Sequence, residues 1–334
     1  MKDPLVSILI PAYNSEQWIA ETIESALAQT WPRTEIIVVD DGSTDKTAEI
    51  AGRFASAKVS VSTQSNQGGA AARNTAYARS NGDYIQWLDA DDKLHPEKIE
   101  RQVDEVRRGA GPKTLLSGAW AYFRYRTSRA RFTATPLWED LPPTEWLLRK
   151  MGMNLHMQTD NWLVSRELTE AAGPWDDNLW RDNDGEYFCR VLLACDRVRF
   201  VRSACSYYRA ASFSTVSQIA GSSRKLESLH RSMQLHIRYL RSLEDSPRTR
   251  AACLFYIRTW LYEFYPYRPD LAAQLRQLAV DLGGSVEEPC LSAKYQWIVK
   301  LFGWRTARQA QHWAQRLRGS VSIEWDRLMY RLGR

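Results

Sequence analysis

The sequence predicts an α/β fold: a mixed, mainly parallel sheet flanked by helices, followed by a C-terminal helical region. Three observations carry this. Strand-like and helix-like patterns alternate over residues 1–110. The strand-like runs are continuously apolar, as in strands buried on both faces. The polar clusters fall at the carboxyl ends of those runs, where ligands bind in such sheets.

"LVSILI" (5–10) is the first apolar run, ending at Pro11, and "SEQWIAETIESALAQT" follows with helical spacing and Ser15 as its cap. "EIIVVD" (35–40) is the second strand and "TDKTAEIAGRFA" the second helix. "KVSVST" (58–63) and "DYIQWL" (83–88) flank the helix "GGAAARNTAYARS" (68–80). "HPEKIERQVDEVRR" then restarts a helix with Pro96 in its first turn. Residues 113–215 read as short strands and loops. From 222 the pattern is helical, with Leu226, Leu229, Met233, Ile237 and Leu240 on one face. Breaks at "EDSPR", "YPYRPD" and "GGSVEEP" divide it. The expected division is 1–220 (halves 1–110 and 111–220) and a helical region 221–334 with a basic, Trp-rich tail.

Five scattered cysteines without CxxC spacing argue against a disulfide framework or zinc knuckle and point to a reducing cytoplasm. The N-terminal apolar run is too short for a signal peptide, and no stretch approaches the ~20 apolar residues of a membrane span. Residues 294–334 hold nine Lys/Arg against two acids, an excess larger than the +6 of the whole chain. Trp297, Trp304, Trp313 and Trp325 are interleaved with those charges. Trp297, Leu301 and Trp304 share one helical face, so the tail reads either as a peripheral membrane helix or as an inward-packed helical subdomain. No nucleic-acid module surrounds the charge.

"QWLDADD" (86–92) gathers three carboxylates at a strand end. Each like-charged pair at 4 Å repels by about 4 kcal/mol at a surface-type dielectric. An Asp-x-Asp there suits a hard divalent cation, Mg²⁺ or Mn²⁺, that keeps positions open for phosphate. It would also serve as a solvated loop capping the helix near Pro96. "DDGSTD" (40–45) has the composition of a turn. "NQGGAAARN" (66–74) opens a helix whose amides can receive an anion, with Arg73 placed to pair with phosphate or organise the carboxylates.

In order and spacing, "PAYN", "DDGSTD", "NQGGAAARN" and "GDYIQWLDADD" resemble the family 2 glycosyltransferases, inverting sugar transferases of the Rossmann-like GT-A fold. The resemblance implies a nucleotide-diphosphate sugar donor, a divalent cation, and a saccharide or lipid-linked acceptor in cell-surface glycan synthesis. By the same resemblance Pro11, Ala12 and Tyr13 flank the base. Asp41, with Asp40 a close second, bonds the base, and Arg73 stands near the acidic cluster. Asp89 falls near the ribose, Asp91 holds the metal on the diphosphate, and Arg209 in "YYRAASFS" closes over the diphosphate. Inversion needs a base to take the acceptor proton. "NDGEYFCR" (183–190) resembles the block that supplies it, with Asp184 at the base position and Asp182 and Glu186 as rivals. Asp160, Asn161 and Trp162 fall on the acceptor side.

Neither GxGxxG nor GxxxxGK[ST] follows the first strand, which disfavours dinucleotide and P-loop chemistry. A nucleotidyltransferase on a related fold and a non-catalytic sugar- or nucleotide-binding module are the alternatives. The absence of spanning helices and of a Gln-x-x-Arg-Trp block favours single addition over processive polymerisation.

Overall fold

The computed structural model describes residues 3–210, 222–265 and 267–287, with 295, 297–304, 306–307, 310–311, 326–327 and 329–330. The alternating half forms β1 (Val6–Ala12), α1 (Ile19–Leu27), β2 (Thr34–Asp40), α2 (Thr47–Gly52), β3 (Val59–Thr63), α3 (Gly69–Ala78), β4 (Tyr84–Trp87), β5 (Lys93–Leu94) and α4 (Lys98–Arg107). Next come β6 (Thr114–Phe123), β7 (Arg131–Phe132), α5 (Pro143–Gly152), β8 (Val164–Ser165), α6 (Arg166–Ala172), α7 (Asn183–Ala194) and β9 (Arg197–Arg209). The helical region is α8 (Ser223–Leu243), α9 (Pro247–Phe264) and α10 (Pro269–Asp281).

One sheet has the order β3-β2-β1-β4-β8, parallel except for β8. β1 and β2 are buried on both faces by alternation: Ile8, Ile10, Ile36 and Val38 pack into one core, and Leu9, Ile37 and Val39 into the other. Full burial of each such side chain stabilises by roughly 1.5–3 kcal/mol. The second core continues into α8–α10, where Leu226, Leu229, Met233, Ile237 and Leu240 are buried as expected. A second sheet, β5-β9-β6-β7, is built on a parallel β6–β9 pair with a bulge at Gly118/Ala119. A Cβ at Gly118 would lie 2.1 Å from the Ala204 carbonyl oxygen, so only glycine allows that approach.

The structure corrects several expectations. β1 runs through Pro11 to Ala12, because β4 stops pairing at the Leu9–Trp87 pair and the missing N–H leaves no ladder partner unmet. α1 begins at Ile19 after a turn in which the Ser15 carbonyl accepts from the Trp18 and Ile19 amides, so Ser15 is not its cap. Pro96 precedes α4 rather than entering its first turn. The region read as short strands holds the two longest, β6 and β9, since tertiary pairing extends segments whose polar residues interrupt the apolar pattern.

Candidate active site

The carboxyl ends of β1 and β2 are laced together. The Asp41 amide donates to the Ala12 carbonyl at 2.8 Å. Asn14, in the left-handed region at φ 47°, donates its amide to Ser43 Oγ and accepts from the Thr44 amide, each at 2.9 Å. Tyr13 stands at this rim 47% exposed, above half-buried Pro11 and buried Ala12.

Asp41 is committed to the protein. Its carboxylate accepts from Gln64 Nε2 (2.8 Å), the Gln67 amide (3.0 Å) and the Gly68 amide (2.8 Å). Asp40 accepts the Ser43 amide through Oδ2, while its buried Oδ1 has no partner. Of the two, Asp40 therefore keeps the free acceptor.

Gly68 adopts φ 95°, a conformation side chains rarely take, and this aims its amide at Asp41 and opens α3. One turn on, Arg73 Nη2 meets Asp89 Oδ1 at 2.6 Å, and its guanidinium lies 4.4 Å from the centre of the Trp175 ring. Asp41, Arg73 and Asp89 are thus joined through one helix start.

Asp91 is half-buried, and its carboxylate accepts from no other side chain among the described residues. Burial, then the neighbouring Asp89 charge, push its carboxyl up to about 6, against the opposing pull of Arg209. Asp92 is buried, and its carboxyl is raised by burial and by the Asp91 and Asp160 charges. Arg209 ties this loop down. Its amide donates to Asp92 Oδ1 and its Nε to the Asp91 carbonyl, both at 2.6 Å; Nη1 donates to the Arg124 carbonyl and Nη2 to Glu21 Oε2, both at 2.9 Å. The guanidinium also packs on Trp18 and Phe123. Bonded at every nitrogen and buried, it anchors the acidic loop here instead of reaching outward.

The acidic start of α7 sorts itself by partners. Glu186 is clamped by Arg190 and accepts from the Tyr239 hydroxyl. Asp182 accepts from Ser232 Oγ at 2.9 Å. Asp184 has no hydrogen bond to another described side chain and lines a cavity of about 30 Å³ with Asp182, His156, Trp146, Trp162 and Phe188. Such a volume holds about one water. The segment before α7 abuts the donor side, since a Cβ on Gly68 would stand 3.9 Å from the Trp180 ring.

Asp160, Asn161 and Trp162 lie below the surface. Trp162 stacks on Phe188 at 5.4 Å, and Asn161 donates to the Gly118 carbonyl while accepting from Ser206 Oγ. Neither carboxylate oxygen of Asp160 has a hydrogen-bond partner among the described residues. Burial raises its carboxyl, opposed chiefly by Lys98. Lys98, equally buried, donates to Gln86 Oε1 and to Gln102 Oε1. In this conformation the three are the floor of the site, out of an acceptor's reach. Glu21 and Lys98 escaped the sequence reading; the signal was a charged residue three positions from Trp18 and four from Ser25 in α1, or beside Ile99 in α4, at a buried helix position.

This architecture and its acidic rim define an α/β domain of the GT-A type. Residues 7–171 match the profile of the glycosyl transferase family 2, and the chain belongs to that family through this domain. It is 42% identical over 107 residues to an uncharacterized glycosyltransferase of Haemophilus influenzae, spanning 31% of this chain and 43% of that protein. It is 39% identical over 104 residues to TuaG of Bacillus subtilis, provisionally named a teichuronic acid biosynthesis glycosyltransferase, spanning 30% of this chain and 41% of that one. The match thus spans less than half the length of both relatives. The crystal structure of S. aureus TarS 1-349 in complex with UDP superposes with a TM-score of 0.60 at 17% identity, covering 93% of this chain and 92% of that chain. That likeness is one of fold.

Proposed function

We propose that the chain moves a sugar from a nucleoside diphosphate sugar to a hydroxyl of a saccharide or lipid-linked acceptor, with inversion by single displacement, in cell-surface glycan synthesis. One observation carries this reading: the Asp41-held start of α3 pairs Arg73 with Asp89 two residues from Asp91, and touches the segment that delivers Asp184. The UDP of the TarS complex and the name of TuaG favour a uridine nucleotide and a wall polymer.

Asp91 is the residue fitted to a divalent cation. Among the described residues no three His, Cys, Asp or Glu side chains cluster as a closed cage. A rim carboxylate with no side-chain partner among the described residues, raised by burial and then by the Asp89 charge, suits a hard ion that draws its other ligands from phosphate and water. When bound, that ion would act as a Lewis acid on the leaving diphosphate. Tyr13 covers the base, Asp40 and the Asp41-anchored loop edge it, and Arg73 fixes Asp89 toward the ribose. Asp184 accepts the proton of the attacking hydroxyl, and Arg209 holds the Asp91–Asp92 loop in place. Asp160, Asn161 and Trp162 support the acceptor side from beneath.

Donor-dependent transfer from UDP-sugars with Mn²⁺ should fall about 10²–10⁴-fold in Asp184→Asn and be lost in Asp91→Ala. Undiminished transfer in both would sink the assignment.

Most of residues 294–334 lie outside the described residues, but Trp297 and Leu301 are 58% and 70% exposed while Trp304 packs on Tyr265 at 5.1 Å. Among the described residues no helix is long and apolar enough to cross a membrane. We propose peripheral contact with anionic lipid through this exposed pair. Co-sedimentation with phosphatidylglycerol vesicles should weaken in Trp297→Ser/Leu301→Ser.

A further inference from the structure

Trp120 and Tyr122 are two residues apart on β6, so they project from the same face of the second sheet. Tyr122 is in register with Tyr208 of β9. The rings form a row: Trp120 to Tyr122 at 4.9 Å, Tyr122 to Tyr208 at 5.5 Å, and Trp120 to His156 at 6.1 Å, each near perpendicular. One end of the row meets the acidic rim, since the residue after Tyr208, Arg209, donates its amide to Asp92 Oδ1 and its Nε to the Asp91 carbonyl, both at 2.6 Å. The other end meets the base, since His156 lines the cavity that holds Asp184. In the middle Tyr122 is 54% exposed, although Trp120 beneath it is buried.

Edge contacts on two sides fix the Tyr122 ring before any ligand arrives, so little rotamer freedom remains to be lost on binding. An exposed, pre-oriented aromatic between the leaving-group side and the base occupies the place where an acceptor must lie. We propose that Tyr122, flanked by Tyr208 and Trp120 with His156 beyond Trp120, is the platform on which the terminal sugar ring of the acceptor stacks, turning one hydroxyl toward Asp184. This rests on the reading of the chain as a glycosyltransferase. A pyranose has an apolar C–H face for the ring and a rim of hydroxyls for the Tyr122 phenol and the His156 imidazole. A lipid chain would meet those polar groups unpaired, so the saccharide part of the acceptor is the occupant.

The test is retention of the full-length chain on an immobilised panel of oligosaccharides, with and without UDP and Mn²⁺, beside calorimetric titration of UDP. Wild type should retain at least one saccharide. Tyr122→Ala should weaken that retention about tenfold or more while UDP affinity stays within about twofold; Tyr122→Trp should preserve retention. Because Tyr122 is half exposed, the alanine variant should melt with wild type, and the tryptophan variant separates loss of stacking from loss of fold. Retention unchanged in Tyr122→Ala, or no saccharide retained by wild type that binds UDP, overturns the platform. Saccharide retention that depends on Tyr122 in a chain that fails to bind UDP upholds the platform and removes the donor reading instead.

Discussion

Arg73 Nη2 and Asp89 Oδ1 meet at 2.6 Å across 16 positions of sequence, with the guanidinium lying flat enough on Trp175 to sit 4.4 Å from its ring centre. A lysine at 73 would keep the charge but lose the planar fork and the stacking. Arg73→Lys is expected to raise the donor KM about tenfold with a smaller change in kcat, and steady-state kinetics over donor concentration checks it.

Cation dependence should be readable without turnover. Ligand binding to the folded chain stabilises it by about 2.7 kcal/mol at a concentration 100 times Kd. UDP with Mn²⁺ is expected to raise the melting temperature more than UDP alone, and chelation should reverse the difference. Asp91→Asn should lose the manganese increment and keep the response to UDP alone, as scanned by thermal unfolding.

Lys98 and Asp160 are fully buried beneath the rim. Burial lowers the ammonium and raises the carboxyl, so each depends on the other. Lys98 Nζ donates to the Gln86 and Gln102 side-chain oxygens, so removing it leaves two buried acceptors unmatched, each at a cost of about 1–3 kcal/mol. Lys98→Met should lower stability by that order in urea titration. The double change Lys98→Met/Asp160→Asn should cost less than the two single changes added together.

His236 is buried beside α7, with Nδ1 2.9 Å from the Tyr256 hydroxyl and 3.8 Å from Asp182 Oδ2. Burial, then the Lys150 charge, hold its pKa down at about 3, against the pull of Glu186 and Asp184. The unfolded chain protonates this histidine near 6.5 and the folded chain does not until far lower. Its neutral form therefore costs no stability above 6.5, and stability declines as pH falls through 6.5 toward 3. Between pH 7 and 4.5 the loss from this group is about 2.5 kcal/mol. In His236→Gln that part of the pH dependence should vanish from urea titrations at the two values.

The first half of the chain was legible because its signals are local. Continuous apolar runs at 5–10 and 35–40 became β1 and β2, and the periodic face of 226–240 became the buried side of α8. The positions of "DDGSTD" and "DADD" at strand ends likewise follow from alternation alone. What each carboxylate does was not legible. Asp40 and Asp41 are adjacent and chemically identical, and only the fold of residues 64–68 over β2 decides which is consumed by backbone amides. Asp182, Asp184 and Glu186 are separated by Ser232 and Tyr239 reaching in from α8 and by Arg190 one turn along α7. Trp162 and Tyr122 show the limit from the other side: the first is buried and the second half exposed, though both are aromatic residues in strand-like surroundings.

By itself the sequence determined the α/β architecture and the rim where polar groups collect, because periodicity and turn chemistry act over a few neighbouring residues. The tertiary structure alone decided which acids are spent on the protein and which remain open, and whether Arg209 faces a ligand or the loop beneath it. Most of those outcomes depend on hydrogen-bond partners 23 to 188 positions away, and no local pattern encodes a partner that distant.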